Sequence, residues 1–354
     1  MFKKGCVMRK AVFGLLLFLL FGMCIVSSVL AQAEPFYKGK TIRVIVGFTP
    51  GGLYDRWGRL LARYMPKYIP GNPEFIVQNM PGAGSLVAAN YVYAQAKPDG
   101  LTVGMPVDSF YMDQIMGRKE VLFDGRKFQF IGSPENNTQI LYVRADSPYR
   151  SMDDLRTVRE PLKCGSTGTS SSTYYLPQLL EEMLNVKLTI VTGYPGASEI
   201  DVAVEKGEIA CRGGSVASHF AREPFITWHK NGFDRHLIQS GQRRDPRAAD
   251  APTIYEVFDK YNSAEEIRRA AAVLLRGGEF GRPMMAPPGT PPERIKILRD
   301  AYSMAMRDAE LLAEAKKGRM DPDFVSGEEL QRLAQEVLDQ PPGVIERIKK
   351  MLGN

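Results

Sequence analysis

Residues 41–105 constrain the fold more than any other stretch of the chain. They read as an apolar strand (41–46), a glycine turn (Gly47-Phe48-Thr49-Pro50-Gly51-Gly52), a helix (54–68) and a strand (74–78). The scheme then repeats: a turn (Asn79-Met80-Pro81-Gly82-Ala83-Gly84-Ser85), a helix (86–96) and a strand (101–105). Two consecutive β-turn-α units with Pro and Gly between strand and helix predict a parallel sheet with crossover helices. Ligands of such sheets lie beyond the carboxyl ends of the strands. Both glycine turns fall there, and each opens a helix. Free N–H groups at a helix N-terminus attract anions, and glycine lets a ligand come close to them. The expectation is a small-anion site built mostly from main chain.

The chain has 354 residues, 44% hydrophobic and 24% charged, which is globular composition with length for two lobes. Its formal charge is +6, from 46 Lys and Arg against 40 Asp and Glu. Four of the basic residues, Lys3, Lys4, Arg9 and Lys10, lie at the extreme N-terminus, and without them the balance is 42 against 40. No large basic patch remains, so no nucleic-acid partner is expected. The same four residues belong to a basic lead-in before an apolar run over 11–30 and then Ala31-Gln32-Ala33. That is the n-region, h-region and A-x-A site of a secretory signal peptide, with cleavage expected after Ala33. An uncleaved anchor is the alternative, because about 20 apolar residues span a bilayer. Cys24 does not make a good lipobox, since Met23 before it is too large. No later stretch is long and apolar enough for a transmembrane helix.

Loss of the leader removes Cys6 and Cys24 and leaves Cys164 and Cys211. An exported chain meets an oxidising compartment, where disulfides form and persist. Both residues are expected at strand ends of one lobe. A bridge between them and two separate buried thiols both fit the sequence, because geometry decides between them.

Beyond a fourth strand at 128–132, Ser133-Pro134-Glu135-Asn136-Asn137 breaks the pattern and a new strand starts at 139. The first crossing between lobes is expected there. The second lobe repeats the theme. A strand at 162–164 runs into Gly165-Ser166-Thr167-Gly168-Thr169-Ser170-Ser171-Ser172, then into a helix with Leu176, Leu179, Leu180, Met183 and Leu184 as its core face. A strand at 187–191 leads to the turn Thr192-Gly193-Tyr194-Pro195-Gly196. A strand over 208–211 is expected to end at Arg212-Gly213-Gly214-Ser215, with a return strand at 236–240. The polar, basic stretch 241–252 holds the second crossing, and a strand at 282–286 rejoins the first sheet. The expected organisation is a leader (1–33), a discontinuous first lobe (34–134 and 245–354) and an inserted second lobe (135–244). Two crossings make a hinge that closes on a ligand.

The loop 165–172 is the densest chemical signal. Hydroxyls and N–H groups at a helix N-terminus suit a carboxylate or another oxyanion. An ordinary Ser/Thr-rich loop with one N-cap is the plainer alternative. The patterns G-x-x-x-x-G-K-[ST], G-x-G-x-x-G and G-x-S-x-G are absent. His219, His229 and His236 lack H-x-x-x-H or H-E-x-x-H spacing. Each therefore reads as a surface or structural residue, and neither a metal site, a cofactor nor a nucleophile–base pair is expected. Asp55, in the first turn after Gly51-Gly52, complements the helix dipole. Facing the cleft, it would instead repel a second ligand carboxylate or bind a ligand cation. Tyr54 and Tyr194 suit apolar walls or lobe packing. Arg56, Arg59, Arg63 and Lys67 share one helix face, read as a solvated basic stripe with partner docking as the alternative.

Several motifs recur in a familiar order: Tyr37-Lys38-Gly39-Lys40-Thr41-Ile42-Arg43-Val44-Ile45-Val46 after the signal peptide, then Pro50-Gly51-Gly52-x-x-Asp55. Gln78-Asn79-Met80-Pro81-Gly82-Ala83-Gly84-Ser85 follows, then Pro98-Asp99-Gly100, Gly193-Tyr194-Pro195-Gly196 and Ala286-Pro287-Pro288-Gly289-Thr290-Pro291. Each is weak alone. Together they cover the mature chain and resemble the Bug-type receptors, extracytoplasmic solute-binding proteins of tripartite tricarboxylate transporters. The resemblance implies a periplasmic binding protein, type II-like, of two α/β lobes. Each lobe is then a mostly parallel sheet flanked by helices, and the two close on a small organic carboxylate. It places Gly51, Gly52 and Asp55 in the first-lobe binding loop, with Leu53, Tyr54 and Gly84 beside them. Ser166, Thr167, Gly168, Thr169 and Ser170 fall in the second-lobe loop that holds the carboxylate, with Tyr194 nearby and Asp108 and Ser109 in a cleft segment. Thr49 stands where proline is common, Leu53-Tyr54 is bulkier than usual, and Pro195 stands where lysine is frequent, which leaves the ligand open. The expected protein is a monomeric receptor read by membrane transporter subunits. A ligand sensor for a signalling system and an exported enzyme are the rivals.

Overall fold

The computed structural model describes residues 34–157, 160–169 and 171–352. The leader and Ser170 lie outside the described residues. β1 (Thr41–Val46) runs parallel to both β2 (Glu74–Asn79) and β3 (Thr102–Met105), with Val46 opposite Asn79 and Met105. Ile42, Val44 and Val46 pack with Trp57, Leu60 and Leu61 of the helix Leu53–Tyr64. Ile45 points to the other face, with Ala88, Ala89 and Val92 of the helix Leu86–Ala94. Cover on both faces is why the strand is nearly all apolar. The first helix gives way to a 3-10 turn, Met65–Tyr68, at Pro66, whose ring nitrogen cannot donate an α-helical bond.

After β4 (Gln129–Ser133) the chain builds a second sheet. Its strands are β5 (Gln139–Arg144), β6 (Leu162–Gly165), β7 (Leu188–Val191), β8 (Cys211–Ser215) and β9 (Asp234–Gln239), in the order β7-β6-β8-β5-β9. It then returns as β10 (Met284–Ala286) and β11 (Val325–Ser326), and the first sheet reads β11-β4-β10-β3-β1-β2. The two sheets, flanked by helices, make a two-lobe α/β protein. Both sheets are mixed. β10 and β11 run antiparallel to their neighbours, and so does β5. The cause is positional. β1, β3 and β8 end near the gap between the sheets, whereas β5 and β10 start there and must run away from it.

β8 begins at Cys211, where the sequence pattern ended the strand. Gly213 and Gly214 pair with Leu141 and Ile140 of β5, and Arg212 with Gly165 of β6. Ladder hydrogen bonds on two sides hold a glycine-rich strand that its own propensity would not. Cys164 and Cys211 are register partners on β6 and β8, and their sulfur atoms are bonded.

The basic stripe of the first helix meets the chain's own C-terminal region. Arg56 donates to the Gly318 carbonyl, and Arg63 pairs with Glu314 of the helix Ala309–Lys317. Lys67 pairs with Asp308. The partner lies about 250 residues away in sequence, out of reach of a local reading. The helix Glu265–Leu275 packs on both Ser172–Leu184 and Pro342–Met351. Among the described residues no helix is long and apolar enough to cross a membrane.

Candidate functional site

A cavity of about 80 Å³ lies between the two sheets. Among the described residues, four helices begin at it. Gly52, Leu53 and Tyr54 open Leu53–Tyr64, and Ser171 and Thr173 open Ser172–Leu184. Ala197 and Ser198 open Ala197–Glu205, and Ser215 and Ser218 open Val216–Ala221. Ser171 and Ser215 cap their own helices, accepting from the Thr173 and Ser218 N–H groups. The other two helices have glycine at the cap, Gly52 and Gly196, with no side chain to satisfy the first-turn donors. The dipoles of all four helices bring positive potential to one space.

Arg212 and Arg282 are the cations of the wall. Arg212, on β8 and 4% exposed, pairs with Asp201 of the helix Ala197–Glu205, and Arg222 pairs with the same carboxylate at 2.5 Å. Two guanidiniums on one carboxylate leave a positive charge. Arg212 Nε is buried without a hydrogen-bond partner. Arg282 pairs through Nε with Glu135 Oε1 at 2.5 Å, and its guanidinium lies 4.7 Å from the Tyr54 ring centre. Trp57 Nε1 donates to Glu135 Oε2 at 2.6 Å. Burial pushes the Glu135 carboxyl up, and the Arg282 charge and the Trp57 bond oppose it. Asp108, also buried, lines the cavity and accepts from Asn137 Nδ2. Its backbone N–H donates to the Tyr54 hydroxyl at 2.9 Å, and that hydroxyl donates to the Gly281 carbonyl at 3.3 Å. Burial raises the Tyr54 pKa well above its ordinary value, so the phenol keeps its proton.

Of the residues expected from the sequence, Gly52, Leu53, Tyr54, Asp108 and Thr167 line this cavity. Gly84, Gly168, Thr169 and Tyr194 line a wider space of about 770 Å³, which shares Phe48 and Thr167 with the first. Thr169 accepts there from Arg118, through Oγ1 at 2.5 Å and through its carbonyl at 3.2 Å. Gly51, Asp55, Ser109 and Ser166 line neither space. Asp55 instead braces the two glycine turns. It accepts from the Gly51 N–H, Arg59 Nε and Asn79 Nδ2, each at 3.0 Å, and Asn79 also donates to the Phe48 carbonyl at 2.8 Å. Burial works to raise the Asp55 pKa, but these bonds outweigh it and hold the carboxyl low. Ser166 Oγ donates to the Gly168 carbonyl at 3.0 Å and meets Thr173 Oγ1 at 2.9 Å, which shapes its loop.

Two glycines sit where the lobes touch. A Cβ on Gly196 would lie 2.1 Å from Thr49 Oγ1, and one on Gly168 would lie 3.0 Å from the Gly84 nitrogen. They admit the facing lobe, a use the anion argument did not foresee. Sequence reasoning also missed Arg212, Arg282, Asn137 and Gln139, which carry the cavity's polar chemistry. An arginine inside an otherwise glycine-rich strand was the one local signal for Arg212.

Two α/β lobes around a cavity, with helix N-termini opening at it and a buried arginine in its wall, define a solute-binding architecture. Residues 59–350 match the family described as tripartite tricarboxylate transporter family receptor (TctC), and the chain belongs to that family. It is similar to the UPF0065 protein in gbd 5'region of Cupriavidus necator, 27% identical over 323 residues that cover 90% of each protein. Among solved structures it shares the fold of the periplasmic binding protein BugD, with a TM-score of 0.70 at 19% identity over 89% of this chain and 98% of that one. MatC from Rhodopseudomonas palustris with bound malate gives a TM-score of 0.68 at 21% identity, over 88% of this chain and 99% of that one.

Proposed function

We propose that the chain is a periplasmic receptor, released by cleavage after Ala33, that binds a small organic carboxylate without transforming it. It passes the ligand to the membrane subunits of a tripartite tricarboxylate-type transporter. The observation that carries this reading is the meeting, at one small cavity, of two glycine-capped helix N-termini and the Arg212 side chain, whose buried Nε–H has no hydrogen-bond partner. A carboxylate oxygen satisfies such donors with charge-assisted bonds. The malate bound by MatC is a carboxylate of this kind.

The lobes are taken as 34–134 with 245–354, and 135–244. They close by a hinge, with Thr49 against Gly196 and Gly84 against Gly168 as the meeting points. Gly52, Leu53, Tyr54, Asp108 and Thr167 touch the ligand. Gly84, Gly168, Thr169 and Tyr194 close the mouth, and Gly51, Asp55, Ser109 and Ser166 shape the loops.

The test is calorimetry and thermal unfolding of the protein from Glu34 onward, unfolded and refolded to strip any carried ligand, against mono-, di- and tricarboxylates. At about 100 times its dissociation constant a ligand adds roughly 2.7 kcal/mol. Binding of one acid class is the expected result, and no binding by any acid would overturn the reading. Loss of uptake of that acid on gene deletion tests delivery to a transporter.

A further inference from the structure

The chain has three histidines, and the fold brings all three to one point. His219 lies on Val216–Ala221, His229 on Phe225–Asn231, and His236 on β9 beside Asp234. One ligand atom from each of the four lies within 4.8 Å of all the others. His219 Nε2 is 2.7 Å from Asp234 Oδ2 and 3.1 Å from His236 Nε2. His236 Nε2 is 3.5 Å from Asp234 Oδ2, and His229 Nδ1 is 3.2 Å from Asp234 Oδ1. Tetrahedral bonds of 2.0–2.1 Å to one ion place the ligand atoms about 3.3 Å apart. These four separations, with Asp234 turning Oδ2 to His219 and His236 and Oδ1 to His229, scatter around that value, and the whole group lies within 4.8 Å.

The outer contacts of His229 and His236 fit as well, whereas His219 Nδ1 is buried without a hydrogen-bond partner. A histidine bound through one ring nitrogen usually gives its other N–H to a carbonyl or a carboxylate, which sets the tautomer. His229 Nε2 faces the His219 carbonyl oxygen at 3.1 Å, and His236 Nδ1 faces Asp250 Oδ1 at 3.3 Å. Both arrangements turn the inner nitrogen, with its lone pair, toward Asp234. Apolar rings enclose the group. Tyr142 and Phe225 lie 4.5 and 4.4 Å from the His219 ring, and Phe220 stacks on His229 at 4.6 Å. The side chains of His219 and Asp234 are 1% exposed, whereas His229 is 25% exposed and opens a route for an ion.

We propose that His219, His229, His236 and Asp234 form a site for one divalent transition metal of zinc's class. Three imidazoles and a carboxylate suit such an ion, not calcium or magnesium, which prefer all-oxygen sets. Four protein ligands with no open position make a structural site rather than a catalytic one. Its place in the fold gives it a task. The helix that carries His219 begins at Ser215 and Ser218, which line the cavity. The metal ties that helix to β9 and to Phe225–Asn231, and so fixes one wall of the cavity from behind.

The experiment treats the protein from Glu34 onward with a chelator and titrates it with zinc by calorimetry, and separately with cobalt(II) by visible absorption. Neither readout depends on a carboxylate. The expected result is one zinc per chain, a tetrahedral cobalt band, and a rise in melting temperature with zinc. His229→Gln with His236→Gln, both at the more exposed positions, should abolish binding while the metal-free melting temperature stays near that of the parent. Asp250→Asn should weaken zinc by about 10-fold. Failure of the parent protein to bind zinc, or equal binding by the double variant, would overturn the proposal.

Discussion

Arg282 donates from Nη2 to Ser215 Oγ at 3.0 Å, and this bond joins the two sheets across the cavity. Arg282 leads into β10 of the first sheet, and Ser215 ends β8 of the second. The same guanidinium neutralises Glu135, which is fully buried and also holds Trp57. Removing the arginine strands that carboxylate. Arg282→Ala should therefore destabilise the protein by about 3–5 kcal/mol in urea unfolding. Arg282→Met combined with Glu135→Gln should recover most of the loss, since glutamine carries no charge and still accepts from Trp57.

Arg212→Lys separates charge from geometry. Lysine keeps the positive charge but has no N–H where Arg212 Nε lies. Asp201 retains Arg222 as a partner, so no carboxylate is left bare. Carboxylate affinity should fall about 10-fold or more in calorimetry, the worth of one hydrogen bond to a charged group, with a small change in melting temperature.

Gly196 is extended, at φ −164°, so a side chain there costs no backbone strain. A Cβ would nevertheless meet Thr49 of the facing lobe. Gly196→Val should weaken ligand binding by holding the lobes apart, with the unliganded melting temperature kept. Thr49→Ala in the same chain should restore affinity. If Gly196→Val binds as tightly as the parent, closure at this contact is not required.

The Cys164–Cys211 bond spans 47 positions of sequence. Loop entropy for that length gives about 4 kcal/mol at most, and typical bridges give about 2–4. Cys164→Ser with Cys211→Ser should lower the melting temperature by several degrees, and non-reducing peptide mapping should find the two cysteines in one fragment.

Hydrogen bonds from Lys67 and Tyr68 hold the Asp308 carboxyl well below the usual range, against a smaller effect of burial. A depressed folded pKa contributes stability above the unfolded value, near 3.9, that is lost as pH falls toward the folded value. Asp308 also caps Ala309–Lys317, accepting from the Glu310 and Leu311 N–H groups. Asp308→Asn keeps a capping oxygen and removes the charge. The stability gap between parent and variant should be widest at pH 7 and shrink progressively below about pH 5 in denaturant titrations.

What the sequence by itself determined is local. Strand 41–46, the glycine turn after it and the helix behind are read from an apolar run, Pro and Gly, and i, i+3, i+4 spacing, all within about 30 residues. The first two β-turn-α units and most of the second sheet follow from such signals, and so do Gly52, Tyr54 and Thr167 at the cavity, whereas Leu53 came from the family resemblance. What only the tertiary structure decided depends on residues that no local period connects. β10 slots between β3 and β4 after a long excursion. Arg282 finds Glu135 and Ser215, Arg212 finds Asp201, and Asp55 turns inward to brace two loops. His219, His229 and His236 carry no ligand spacing in sequence because they come from two helices and a strand that only packing makes neighbours. Burial of a charge demands a partner wherever the fold supplies one, and sequence distance does not enter that requirement.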